Sequence, residues 1–114
     1  MYNAIGMIEV TSIARGIYAT DLMLKTAYVE VVSATPVCPG KYIAIVQGGV
    51  AAVESSVNAG IAAAAEYLAD SFILPNVHPA VFPAITATTM PEGAGALGIM
   101  EAFSLASMII AADA

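Results

Sequence analysis

The chain is predicted to fold as an α+β domain of order βαββαβ, an antiparallel sheet with its helices on one face. Three observations predict this. Four β-compatible apolar runs alternate with two stretches of helical spacing, glycine and proline clusters punctuate each change, and 114 residues suffice for a single core.

Residues 4–10 (AIGMIEV) suit a short strand, and Thr11-Ser12 offers a helix N-cap before Ile13, Ile17 and Leu24 fall at helical spacing. Residues 28–37 are rich in β-branched side chains and are closed by Pro36, Pro39 and Gly40; residues 42–47 supply the return strand. Together they make a hairpin whose tip is Cys38-Pro39-Gly40-Lys41. Gly48-Gly49 breaks the chain before residues 50–69, whose alanines and Gly60 suit a helix laid closely on a sheet. Residues 70–77 supply the fourth strand. This is the split βαβ order of ferredoxin-like domains.

The tail repeats the start. Residues 4–21 (AIGMIEVTSIARGIYATD) align without gaps on residues 96–113 (ALGIMEAFSLASMIIAAD), and eight of the eighteen positions are identical, among them Gly6/Gly98, Glu9/Glu101 and Ser12/Ser104. Two alanine-rich helices matching by coincidence would not share those three. The expected organisation is a complete domain over residues 1–87, a linker over 88–95 containing Pro91 and two glycines, and over 96–114 the strand and helix that open a second repeat, cut off in mid-helix at Ala114.

Charged residues form 11% of the chain and hydrophobic residues 60%, too apolar for a lone soluble domain of this size. Gln47, Glu54, Asn58, Glu66 and Asp70 interrupt the long apolar region, which excludes a membrane span, so the surplus is expected to be buried between identical subunits. A net charge of −6 with only Arg15, Lys25 and Lys41 as cations argues against nucleic acid. The first residues lack a secretory signal, and Cys38 is the only cysteine, so a reducing cytoplasmic location is expected. No nucleophile–base pair, paired acidic site or metal-ligand spacing emerges, and the glutamates are scattered, so catalysis is not expected.

AIGMIEVTSIARGIYATDLMLKTA, GGVAAVESSVNAG and ILPNVHP, in that order over residues 4–85, resemble the bacterial microcompartment shell domain. Cys-Pro-Gly at the hairpin tip and the partial repeat are similar to the tandem-domain, trimeric branch of that family, of propanediol-utilisation type. The resemblance implies a structural, self-assembling tile in a microcompartment shell within the cytoplasm, packing with copies of itself and with other shell proteins around encapsulated enzymes. Single-domain tiles of the family form hexamers and tandem-domain tiles form trimers. With one complete repeat, a hexamer is expected ahead of a trimer.

The resemblance also assigns residues. Cys38, Pro39, Gly40 and Lys41 would line a pore on the symmetry axis, where three Cys38 thiolates bind three irons of a [4Fe-4S] cluster and Lys41 and backbone amides offset its charge. Six cysteines in a hexamer would fit one such cluster in neither count nor geometry. A lone cysteine is otherwise most often a small, half-buried hydrophobe. Lys25 would pack at the tile edge, although a cation near a helix C-terminus also has a purely local explanation. Asn76 and His78 would join that edge; the family often has arginine where Asn76 stands. From the residues alone, a trimeric small-ligand regulatory module of ferredoxin-like fold is the alternative; it would want a phosphate loop or basic pocket, and Gly48-Gly49 without nearby cations is weak support for one.

Overall fold

The computed structural model describes residues 3–88, 90, 92–93 and 95–114. Its strands are β1 (Ala4–Val10), β2 (Glu30–Val37), β3 (Lys41–Gly48) and β4 (Leu68–Leu74), all antiparallel, in the order β2-β3-β1-β4. The two central strands are β1, buried at every residue, and β3, buried along most of its length. As an edge strand, β2 tolerates Pro36, whose missing N–H would break a ladder on a strand paired on both sides.

Helices α1 (Ile13–Thr26) and α2 (Val50–Ala64) cover one face, as the sequence predicts. Beneath them Ile8, Val10, Ala19, Met23, Val53 and Val57 form one core. The approach is close because glycines stand at the contacts. A Cβ on Gly16 would lie 2.6 Å from Tyr42 Cβ, and one on Gly60 would lie 2.6 Å from Met23 Sδ. α1 starts where the N-cap signal places it: Ser12 Oγ accepts the Arg15 N–H at 3.2 Å, satisfying one of the donors that a first turn leaves open.

α2 ends earlier than the alanine run suggests. Ala65 adopts φ 51°, a single 3-10 turn covers Ala65–Tyr67, and β4 begins at Leu68 instead of residue 70 and ends at Leu74 instead of 77. Nothing in the alanine tract itself breaks a helix. The reversal is imposed by the sheet, which pairs Leu68 with Val10 across a register shift between Glu9 and Val10.

The second face carries a separate core of Ile5, Met7, Ile43, Ile45 and Phe72. It is covered by a short helix α3 (Val81–Ile85), which the sequence reading did not include, and by α4 (Leu105–Asp113) from the tail. α4 starts at the position equivalent to the start of α1, and Ser104 Oγ accepts the Ser107 N–H at 3.1 Å as Ser12 does for Arg15. The strand expected before it does not form: Ala96–Met100 is unpaired, with Leu97 and Ile99 more than 80% exposed. Its counterpart β1 is held on both sides, by β3 and β4, and the tail finds no free pair of strands to lie between. α4 also packs by the stripe that α1 leaves outward. Ile17 is 56% exposed, whereas its counterpart Ile109 is 7% exposed. Of the expected linker over 88–95, Thr89, Pro91 and Ala94 lie outside the described residues.

The chain measures 43 × 34 × 20 Å along its principal axes, a slab. Among the described residues no helix is long and apolar enough to cross a membrane.

Candidate axial hairpin and edge residues

The register of the sheet fixes which residues share an end. β1 pairs Val10 with Tyr42 and Leu68, so the β2–β3 hairpin tip lies at the Val10 end. Ile5 pairs with Leu74, and the Val77 N–H donates to the Asn3 carbonyl at 3.0 Å, so residues 75–78 lie at the opposite end. α1 starts three residues after Val10 and runs back over 14 residues, about 21 Å, which brings Lys25 toward the end that carries Asn76 and His78. Fold topology therefore separates the two groups of candidate residues by the length of the sheet.

At the hairpin end Cys38 is exposed and unpaired, next to a cis Cys38-Pro39 bond and Gly40 at φ 69°. That φ favours glycine, because a Cβ in the left-handed region crowds the following carbonyl. Within the chain, Lys41 Nζ lies 2.9 Å from Glu9 Oε2 and 3.1 Å from the Phe103 carbonyl. Glu9 is only 1% exposed on the second face of β1, and a buried carboxylate without a cation would be strongly disfavoured, which is what draws Lys41 inward. The remaining oxygen of Glu9, Oε1, accepts the Leu105 and Ala106 N–H groups at 2.9 and 3.3 Å. Ser104 Oγ also donates to Asp70 Oδ2.

This Glu9–Lys41–Asp70 arrangement was not found from the sequence. The signal available was that Glu9 interrupts an otherwise apolar central strand, at a position the repeat preserves as Glu101.

At the other end the Lys25 ammonium lies 2.7 Å from Asp21 Oδ2, an exposed i,i+4 pair on α1 that leaves the side chain accessible. Asn76 Oδ1 accepts from Asn3 Nδ2 at 3.3 Å. His78 Nδ1 accepts the Ala80 N–H at 3.1 Å, and Asp113 meets the His78 backbone N–H, not its ring, at 2.7 Å. The histidine and the aspartate are therefore not an acid–base dyad. Among the described residues no three His, Cys, Asp or Glu side chains group as a metal site.

α1 presents Ile13, Ile17, Tyr18 and Leu24 to solvent. Arg15 lies 5.7 Å from the ring centres of both Tyr18 and Tyr67 and donates to the Ala63 carbonyl at 3.4 Å. These residues carry part of the apolar surplus noted in the composition, and Leu97, Ile99, Met100 and Phe103 carry more.

A family model described as the BMC domain matches residues 4–77. The bacterial microcompartment shell protein PduT of Citrobacter freundii is 42% identical over 113 residues, covering 99% of this chain and 61% of that protein. The shell protein EutM of Salmonella typhimurium is 36% identical over 78 residues, covering 67% of this chain and 81% of the relative. A solved microcompartment protein from Desulfitobacterium hafniense superposes with a TM-score of 0.81 at 51% identity, covering 99% of this chain and 63% of the other. The chain thus spans about three-fifths of the length of PduT and of the solved protein.

Proposed function

Because this chain belongs to the BMC-domain family, we propose that it is a structural tile of a bacterial microcompartment shell, closing into cyclic oligomers that pack edge to edge with each other and with other shell proteins around encapsulated enzymes. The observation that carries the reading is the placement of two residue groups at opposite ends of one sheet, the Cys38 hairpin at one and Lys25, Asn76 and His78 at the other. In a ring, one end faces the axis and the other the neighbouring tile. The outward apolar residues of α1 supply surface for subunit contacts, since obligate interfaces resemble a core cut in half. Residues 1–87 act as the first shell domain, with residues 96–114 opening the second and 88–95 between them. Nothing in the geometry calls for a catalytic role, and no described pocket unites a nucleophile with a base.

The hairpin tip supports a finer reading, a pore lined by Cys38, Pro39 and Gly40. One chain offers a single exposed thiol with no metal-ligating group beside it among the described residues, but the thiolate is the right donor and rotational copies would multiply it. In a trimer three Cys38 residues would hold a [4Fe-4S] cluster, which would supply one-electron transfer across the shell. With Lys41 engaged by Glu9, backbone amides of the tip would offset its charge. A hexamer would instead leave an open ring of six thiols suited to metabolite passage.

Electron microscopy of the overexpressed protein tests the tile: sheets, tubes or polygonal bodies are expected, and a dispersed species that binds a nucleotide would favour the regulatory module instead. Native mass spectrometry separates hexamer from trimer. Iron analysis and absorbance spectra after anaerobic purification, in wild type and Cys38→Ser, test the cluster; a colourless, iron-free wild type rejects it.

A further inference from the structure

The geometry points to a coupling between α4 and the β2–β3 hairpin, with the Glu9 carboxylate and the Lys41 ammonium as the joint, so that how firmly α4 is seated on the sheet sets the mobility of the hairpin tip. Its consequence for passage at the axis rests on the tile reading; the coupling itself does not.

Glu9 sits on the second face of the central strand and is shared between the two elements. Oε1 takes the two N–H groups of the first turn of α4, Leu105 at 2.9 Å and Ala106 at 3.3 Å, and Oε2 takes Lys41 at 2.9 Å. Lys41 is the residue that closes the hairpin, paired with Val37 across the tip. Its ammonium also donates to the Phe103 carbonyl, just before the Ser104 cap. The hairpin therefore touches the helix start twice, once through Glu9 and once directly.

Glu9 has no substitute cation at hand. The other cations of the chain are committed elsewhere, Arg15 between two tyrosines and Lys25 on Asp21 toward the other end of the sheet. If α4 lifts away, Glu9 loses two donors, Lys41 loses an acceptor, and the residual ion pair is opened to water that weakens it. If Lys41 is lost, Glu9 keeps a buried charge compensated only by the helix start. Two further ties hold the helix along its length: Ser104 to Asp70 at this end, and Asp113 to the His78 N–H at the other. Between them Ala106 and Ile109 seat on the core of the second face.

Coupling of this kind is reciprocal, so it must be seen from both sides. Amide hydrogen exchange is measured on the full chain in a Lys25→Ala background, dispersed so that tile packing does not mask the result. Lys41→Met is expected to speed exchange at the Leu105 and Ala106 amides by about tenfold while leaving the amides of Val57 and Gly60 in α2 unchanged. Ile109→Asp loosens α4 without touching Glu9 or Lys41, and is expected to speed exchange between Val37 and Tyr42 by several-fold. Glu9→Gln, which keeps the shape and removes the charge, is expected to do both and stands in should Lys41→Met not fold. Unchanged hairpin protection in Ile109→Asp, or unchanged α4 protection when the Lys41 contact is removed, overturns the coupling. Failure of wild type to form tiles in the microscope would reject the assembly reading and leave this result standing.

Discussion

Replacing either Gly16 or Gly60 by alanine adds the same methyl group to a buried helix position, yet the two changes should differ in stability. In both, alanine improves the helix by about 1 kcal/mol. At Gly16 the new Cβ would lie 2.6 Å from Tyr42 Cβ and Cδ1 and 2.7 Å from Cγ, roughly 1 Å inside the normal carbon contact. Both Cβ atoms are fixed to their backbones, so no rotamer relieves the clash and α1 must withdraw from β3. Overpacking of this sort costs about 1–3 kcal/mol, and the gap opened along the helix adds to it. At Gly60 the contacts are Met23 Sδ at 2.6 Å and Cγ at 2.8 Å, the adaptable part of an unbranched chain, with Ile8 Cδ1 at 3.3 Å needing to give only a little. The cost there should roughly cancel the helix gain.

Gly16→Ala is thus expected to lose about 1–2 kcal/mol net, and Gly60→Ala to stay within about 1 kcal/mol of wild type. Near the thermal midpoint this separates them by about 4–8 °C for a chain of this length. The assay is urea and thermal unfolding followed by circular dichroism at one fixed protomer concentration, because assembly makes apparent stability concentration-dependent. A Gly16→Ala protein as stable as wild type, or less affected than Gly60→Ala, would refute the claim that the α1–β3 approach is fixed by backbone-anchored contacts.

Three further outcomes are expected. Ser12→Ala removes the α1 cap and should lower stability by about 1 kcal/mol in urea unfolding, with no change in oligomer size by native mass spectrometry. Lys25→Ala breaks an exposed pair with Asp21 and should change protomer stability by no more than about 0.5 kcal/mol, while sheets and tubes disappear from electron micrographs. Ile8→Ala empties a fully buried position between β1 and the helices and should cost about 2–5 kcal/mol by the same unfolding assay.

Much of the first repeat was legible because its signals are local. The Ser12 cap and Gly40 after Pro39 each act within a few residues of themselves, and α1 begins and the hairpin turns where those residues stand; Pro36, expected to help close β2, instead pairs with Tyr42 inside it. What was misread depends on distant partners. The alanine tract of α2 contains no breaker, and its end at Ala64 follows from the need to pair Leu68 with Val10. The repeat foretold α4 correctly, down to its capping serine, but not the strand before it, since a central strand exists only when two others flank it. Nor could equal sequence foretell equal burial: Ile17 and Ile109 match in the alignment and face opposite environments. For Lys41 the family resemblance implied a place at the pore and gave no partner within the chain. Its ion-pair partner within the chain is 32 positions away and could be identified only once the sheet set Glu9 beside it.

The slab shape has a consequence for how a shell built from such chains would filter molecules. At 20 Å through its thinnest axis, the protein is thinner than the roughly 30 Å hydrocarbon core of a bilayer, and unlike a bilayer it offers no liquid interior in which a solute could dissolve. Permeation in the proposed tile would therefore not scale with oil–water partitioning. It would be governed by the narrowest ring of hairpin tips, so that a change at Cys38 or Gly40 alters which solutes cross without altering the wall around them.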